Sequence, residues 1–302
     1  MPPRPVTVGL DGSRPSLAAA RWAADEAQLL GLPLRLVHAW AWQLSGDAPP
    51  VDVTHHRHWA ERVTEETADE LRHRHPGLDI TTEQIPKLPV PALIGAAEQS
   101  EMLVLGSRGL SRLAGFLVGS VALDTVARAP APVVLVRADE ADTADAKTPK
   151  AGEDAPAAQE RRPIVVGLDL DHRTDPLLEF AFATAVRRKV PLRVIRACDL
   201  APVYGWNPGV VEPGLLERIQ ADEERALTEV LAPWRQKYPE AEVTGHVLPG
   251  RPAHHLVDAA AGAALLVVGR QMRERPFGAR LGSVAYAVLH HAVCPVAVVP
   301  HT

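Results

Sequence analysis

An α/β architecture built twice over follows from three features of this 302-residue chain. Short apolar runs alternate with segments of helical period, the pattern of a parallel sheet covered by helices on both faces. That pattern occurs in two copies. One apolar run, Met102-Leu103-Val104-Leu105, also empties into a loop bearing Gly106, Gly109 and Gly119 before a helix opens at Ser120.

In the first copy, Val6–Leu10 reads as a strand and Ser16–Leu30 as a helix with Leu17, Ala20, Ala24 and Ala27 on one face. Leu34–Ala39 is a strand, and Thr54 to about His73 a longer helix. Leu78–Ile85 alternates like a strand, and Pro91–Glu98 is a short helix with proline at its start. Met102–Leu105 and Val133–Val136 complete five strands. Between them a helix runs from Ser120 through Val121, Leu123, Val126 and Ala127 until Ala129-Pro130 stops it.

The second copy is visible by eye. Arg4-Pro5-Val6-Thr7-Val8-Gly9-Leu10-Asp11 returns as Arg162-Pro163-Ile164-Val165-Val166-Gly167-Leu168-Asp169, 158 residues later (4 to 162). Pro33-Leu34-Arg35 returns as Pro191-Leu192-Arg193 at the same offset. Gly106 and Gly119-Ser120-Val121 return as Gly269 and Gly282-Ser283-Val284 at an offset of 163 (106 to 269). The extra residues therefore fall between the second strand and the glycine loop, where a surface connection tolerates them. A repeat of this length is a duplicated domain. The expected division is 1–138 for the first domain, 139–161 for a linker and 162–302 for the second. The linker is rich in Ala, Asp, Glu, Lys and Pro without apolar period, and reads as a flexible tether.

Composition narrows the function. Hydrophobic residues make up 46% and the net charge is −5, enough apolar material for two cores and no concentrated basic surface for nucleic acid. The two cysteines, Cys198 and Cys294, lie in apolar, strand-like stretches and read as reduced thiols, not a disulfide framework. No run approaches the roughly 18 apolar residues of a membrane span. The N-terminus enters a strand at once, which leaves no room for a signal peptide, and a cytoplasmic location is expected. His55, His56 and His58 cluster near the start of the long helix but lack a distal partner ligand, so they read as an exposed polar face. Arg235 and Lys237 beside Trp234 and Tyr238 form a basic-aromatic spot too isolated for nucleic acid. No nucleophile elbow or zinc-protease motif is present.

The glycine loop carries the chemistry. A strand that opens through glycines onto a helix N-terminus suits an anion, because unpaired N–H groups and the helix dipole face the ligand and no Cβ stands in the way. Arg108 and Arg112 add two cations, and polyphosphate is the natural candidate. The spacing is neither that of a P-loop nor that of a dinucleotide fingerprint. Gly106-x2-Gly109-x9-Gly119-Ser120 resembles instead the G-2x-G-9x-G-[ST] nucleotide loop of the universal stress protein family.

That resemblance covers nearly the whole chain, as two tandem domains. It implies Rossmann-like (adenine nucleotide alpha hydrolase-like) folds, each a five-stranded parallel sheet with helices on both faces. It implies ATP as the ligand, with or without Mg2+. Carried onto this sequence, Gly9 and Asp11 end the first strand, with Asp11 facing the ribose or a phosphate-bound metal and, on the plainer reading, simply closing a turn on its own backbone. Val37 lines the adenine pocket or belongs to the core. Gly106, Ser107, Arg108, Gly109, Leu110, Ser111 and Arg112 hold ribose and phosphates. Gly119, Ser120 and Val121 bind phosphate oxygens at the helix start, Ser120 doubling as a candidate N-cap.

In the second copy Asp169, Gly269, Gly282 and Ser283 are the retained counterparts, but Met272 stands at the middle glycine. If that position needs positive φ or close phosphate approach, methionine costs about 1–3 kcal/mol. Glu274 and Asp171 add carboxylates where Ser111 and Ser13 stand in the first copy, with Arg270, Arg273 and Arg275 as partial offsets. Weak or absent nucleotide binding is expected there. The resemblance further implies a nucleotide-dependent regulator of stress survival or growth arrest, and pairing through the last strands, Val133–Val136 and Val296–Val299, within one chain or between two. The alternatives are a slow ATPase or adenylate-transferring enzyme, and a nucleotide-free interaction scaffold. Related adenylating folds carry a Ser-Gly-Gly-x-Asp-Ser loop or a His-x-Gly-His motif, and neither occurs here.

Overall fold

A computed structural model describes residues 3–40, 53–107, 118–138, 161–172, 174–198, 215–272 and 281–301, with the side chains of 53–60 and 215–216 outside the described set. The chain divides into two compact units, Met1–Gly152 and Glu153–Thr302.

The first unit runs β1 (Val6–Leu10), α1 (Arg14–Leu30), β2 (Leu34–Ala39), α2 (Val53–Arg74), β3 (Ile80–Ile85), α3 (Pro89–Glu98), β4 (Met102–Ser107), α4 (Ser120–Arg128) and β5 (Val133–Arg137). All its strands are parallel, in the order β3-β2-β1-β4-β5. The order reverses between β1 and β4. Right-handed crossovers then put α1 and α2 on one face and α3 and α4 on the other, and the helices pack in those pairs. β1 lies at the centre between β2 and β4, and Val6, Val8, Leu36, Leu103 and Val104 are fully enclosed.

Local chemistry sets the ends of the helices. Ser13 caps α1, its hydroxyl accepting the Ser16 N–H, so the helix starts two residues before the expected Ser16 with Pro15 in its first turn. α1 ends at Gly31, whose φ of 63° is left-handed; Gly31 N–H reaches Gln28 O and Leu32 N–H reaches Ala27 O. Between lies a buried face of small residues, Ala18, Ala19, Ala20, Ala23, Ala24 and Ala27. α3 begins at Pro89, not Pro91, because both prolines sit in a first turn whose N–H groups have no intrahelical partner. β3 begins at Ile80 because the turn through Gly77, closed by Leu78 N–H to His75 O, precedes it.

The second unit repeats the plan: β6 (Ile164–Gly167), α5 (Asp175–Arg188), β7 (Leu192–Cys198), α6 (Leu215–Lys237), β8 (Val243–Pro249), α7 (Pro252–Ala260), β9 (Leu265–Gln271), α8 (Ser283–His291) and β10 (Val296–His301). Its parallel strands are ordered β8-β7-β6-β9-β10. Leu34 pairs with Ile80 and Leu192 with Val243, so the offset has already reached 163 at the third strand (80 to 243). The extra residues therefore lie between the second strand and the body of the following helix. At the end of α5, Lys189 takes the place of Gly31 and adopts the same left-handed turn, with φ 53°.

The basic-aromatic spot belongs to this scaffold. Trp234 and Tyr238 pack on Phe182 of α5 at ring-centroid distances of 5.9 and 5.7 Å. Lys237 pairs with Glu179 and lies over the Trp234 ring at 5.3 Å, while Tyr238 Oη donates to Glu179 Oε1 at 2.7 Å. Burial alone would raise the Glu179 carboxyl, but the Lys237 and Tyr238 hydrogen bonds outweigh it and hold it below the usual range. Burial, joined by Glu179, pushes the Tyr238 phenol up to about 12. The knot ties α6 to α5.

Among the described residues no helix is long and apolar enough to cross a membrane. Neither cysteine is in a disulfide; Cys294 is buried, and Cys198 is half-buried at the end of β7. The side chains of His55, His56 and His58 lie outside the described set.

Candidate nucleotide site

In the first unit the place to look is the crevice beyond the carboxyl ends of β1 and β4, where the strand order reverses. Gly9 ends β1 beside Leu105 of β4 and Val37 of β2. A Cβ at Gly9 would stand 2.7 Å from Leu105 Cδ2 and 2.8 Å from Leu93 Cδ2, so its bareness serves core packing. Val37 is fully buried. Next to it, His38 is buried with Nδ1 2.8 Å from the Leu10 carbonyl oxygen. A carbonyl can only accept, so Nδ1 carries the hydrogen and ties the end of β2 to the end of β1.

Asp11 follows at once. Its Oδ1 accepts the Ser13 N–H at 3.0 Å and the Ser13 hydroxyl, closing a turn on local backbone. Its own N–H lies 3.3 Å from Ser16 Oγ, and that hydroxyl donates to Ser13 O at 2.9 Å. The turn aspartate weighed from sequence is thus realised, with the carboxylate fixed where β1 passes into α1.

The glycines of the loop divide into two kinds. A Cβ on Gly106 would lie 2.4 Å from the Pro15 carbonyl carbon and 2.5 Å from both Pro15 O and Ser16 N. The first turn of α1 rests on the bare backbone of β4 at that point, so Gly106 is needed for helix–strand packing. Ser107 is buried, with Oγ 3.4 Å from Val136 O. Arg108, Gly109, Leu110, Ser111 and Arg112 lie outside the described residues. Gly119 differs from Gly106: it is the N-cap of α4 at φ −62° and ψ 152°, it makes no side-chain cap, and a Cβ there meets nothing within 4 Å among the described residues. Neither close packing nor backbone strain requires glycine at 119. Ser120 is the first helical residue, not the N-cap weighed from sequence, and Ser120 and Val121 are exposed. Among the described residues no side chain caps the first-turn N–H groups of α4, the condition an anion site requires.

The second unit keeps this frame and changes what fills it. Gly282 is the N-cap of α8, again with no described residue within 4 Å of a Cβ there, and an exposed Ser283 follows it. Over Gly269, in contrast, stands the ring of His301, whose Nε2 would lie 2.7 Å from a Cβ. α5 starts only at Asp175, and among the described residues no helix backbone approaches Gly269 as Pro15 approaches Gly106 in the first unit. Met272 carries no left-handed strain, since Lys189 is the sole non-glycine residue of positive φ among those described. Its N–H donates to His301 O at 2.7 Å and its side chain is exposed. The strain expected of a methionine at this position is absent because the chain simply prolongs β9 beside β10. Arg273, Glu274 and Arg275 lie outside the described residues. Arg270 is buried, which lowers its pKa.

The cation that matters in this unit was missed in the sequence reading. Arg196 of β7 places Nη1 3.0 Å from Asp169 Oδ1, Nη2 3.8 Å from Asp171 Oδ2 and Nε 3.1 Å from Glu223 Oε2 of α6. Asp169 also accepts the Asp171 N–H at 3.2 Å and contacts His172 Nδ1 at 3.0 Å. Burial alone would raise the Asp169 carboxyl; the Asp171 and His172 hydrogen bonds and the Arg196 charge outweigh it and hold it below its usual value. Asp171 is thus half of an ion pair, not an unopposed charge. The available signal was that position 196 is the repeat of His38, an arginine where the first copy has a ring.

The universal stress protein family model matches residues 3–137 and again 160–300. A universal stress protein of Mycobacterium tuberculosis (strain ATCC 25618 / H37Rv) is 35% identical over 303 residues, covering 97% of this chain and 96% of its own. One from Mycolicibacterium smegmatis is 33% identical, with 97% and 96% covered. Among solved structures, a universal stress protein from Archaeoglobus fulgidus superposes with a TM-score of 0.68 over 98% of both chains, at 18% identity, which speaks to the fold alone. Two matched segments, full-length relatives and two α/β units of matching topology agree: this chain belongs to the universal stress protein family and carries two of its domains in tandem.

Proposed function

We propose that the first domain, residues 1–138, binds an adenine nucleotide, ATP with or without Mg2+, and that occupancy biases a conformational or partner-binding equilibrium in stress response or growth arrest. The observation that carries this reading is the start of α4: among the described residues no side chain caps it and none stands over Gly119, and Ser120 beside it is exposed. Phosphate oxygens accept from such N–H groups without displacing a side chain. Gly9 near the end of β1 and Asp11 just beyond it lie at the same crevice, Gly106 to Arg112 supply the main-chain N–H groups of this reading, and Val37, fully enclosed, belongs to the core and not to the pocket lining. Micromolar affinity requires about 8 kcal/mol, within reach of several charge-assisted hydrogen bonds of about 1.5–3 kcal/mol each once association entropy is subtracted. A ligand shifts an equilibrium only by its difference in affinity between the two states, so regulation requires the free and bound forms to differ at a partner surface. The second domain, 162–302, takes nucleotide weakly or not at all on this reading.

The test is direct. Purified protein is denatured and the released nucleotide identified, and ATP affinity is measured by calorimetry for wild type and Gly119→Val. A valine side chain over the helix start weakens binding at least about tenfold, or 1.4 kcal/mol. An unchanged dissociation constant, or protein that takes up no adenine nucleotide, rejects the reading.

A further inference from the structure

The two copies differ at one crevice edge in a coordinated way. By register, Leu10 pairs with His38 at the ends of β1 and β2, and Arg196 holds the position of His38 at the repeat offset. Ser13, the cap of α1, is replaced by Asp171. The buried Thr64 and Ala68 of α2 match the buried Leu227 and Leu231 of α6, which sets Glu223 opposite Ala60. Only the aspartate after the first strand, Asp11 or Asp169, is common to both.

Each change taken alone is unfavourable. A guanidinium that is 13% exposed, as at Arg196, costs free energy without partners, and carboxylates gathered at 171 and 223 repel one another without a cation. Together they satisfy one another, because the planar fork of an arginine serves several carboxylate oxygens at once. With three carboxylates on one guanidinium the cluster stays net negative, and its arginine lies across the ends of β6 and β7.

We propose that Arg196 is a built-in occupant of the second domain: bound by Asp169, Asp171 and Glu223, it fills the crevice edge that receives nucleotide in the first domain, and so limits binding to one site per chain. This rests on the first-domain binding reading and adds the residue that decides between the copies. Both the filled space and the residual negative charge act against a polyphosphate. His38, in contrast, turns its Nδ1 onto the Leu10 carbonyl.

Two reciprocal exchanges test it, read by equilibrium dialysis of the full chain against radiolabelled ATP. The triple variant Arg196→His, Asp171→Ser, Glu223→Ala gives the second domain the residues of the first, and uptake rises from one equivalent towards two. The variant Ser13→Asp, His38→Arg, Ala60→Glu installs the cluster in the first domain, and affinity there falls at least tenfold. Melting curves establish that each variant is folded, and if the first-domain variant is not, the second-domain exchange decides alone. The rise in uptake or the fall in affinity, as stated, supports the proposal. A wild-type protein that binds two equivalents, or one equivalent in wild type that neither exchange alters, overturns it and leaves the first-domain reading intact. A wild type that binds none rejects both.

Discussion

Alanine at Gly106 and alanine at Gly119 are the same chemical change in the same motif, and their consequences differ: the first falls on stability, the second on binding. At Gly106 the new methyl would meet Pro15 C at 2.4 Å and Pro15 O and Ser16 N at 2.5 Å, where ordinary contact begins at 3.4 Å. The first turn of α1 must retreat by roughly 1 Å, and these are backbone atoms with no rotamer to change. Overpacking of this kind costs about 1–3 kcal/mol, and a clash with main chain belongs at the top of that range. For a domain of this size 1 kcal/mol moves the midpoint by about 4 °C, so Gly106→Ala lowers melting of the first unit by about 12 °C. At Gly119 the methyl meets no described residue, and the backbone is already in a region open to alanine. The cost is only the poorer N-cap, up to about 1 kcal/mol or 4 °C, while nucleotide affinity falls. Differential scanning calorimetry with separate transitions for the two units reads both effects. Gly106→Ala melting within about 3 °C of wild type refutes the packing argument, as does Gly119→Ala melting as low as Gly106→Ala.

Two further outcomes follow from the second unit. Burial, joined by the hydrogen bond to Glu179, raises the folded pKa of Tyr238 to about 12, so the stability of the neutral phenol's environment is fully present below pH 10.0 and lost as pH rises towards 12. Phenolate absorbance shows one tyrosine ionising only near pH 12, and Tyr238→Phe removes that late step; its survival in the variant contradicts the assignment. Lys189 holds a left-handed φ of 53° that Gly31 holds without penalty in the first unit. Lys189→Gly therefore stabilises the second unit by up to about 1 kcal/mol in denaturant titration, and a loss of stability indicates that the lysine side chain contributes more than its backbone costs.

Most of the scaffold was legible because it is local. Apolar alternation located β1 and β2 to the residue, and the repeat announced the second unit before any geometry. Helix starts shifted where capping chemistry, not apolar period, decides: Ser13 draws α1 forward to Arg14, and paired prolines draw α3 forward to Pro89. The glycine spacing pointed to the site, but it could not distinguish Gly106, held by contact with a helix, from Gly119, over which no described residue stands. That difference depends on atoms far along the chain. Arg196 was missed for the same reason: its partners Asp169, Asp171 and Glu223 come from the β6–α5 connection and from α6, and only folding brings their charges together.

The alanine face of α1 has a counterpart in α5 lined by Leu177, Leu178 and Phe182. A helix seated on methyl groups has almost nothing to lose by truncation and no room for growth, so substitutions that enlarge side chains are the dangerous ones in the first unit. Where leucines and a phenylalanine fill the gap, the hazard reverses and shrinkage opens voids costing about 2–5 kcal/mol each. Two halves descended from one plan thus accumulate mutations under opposite volume constraints. An exchange of core residues between the equivalent helices harms both.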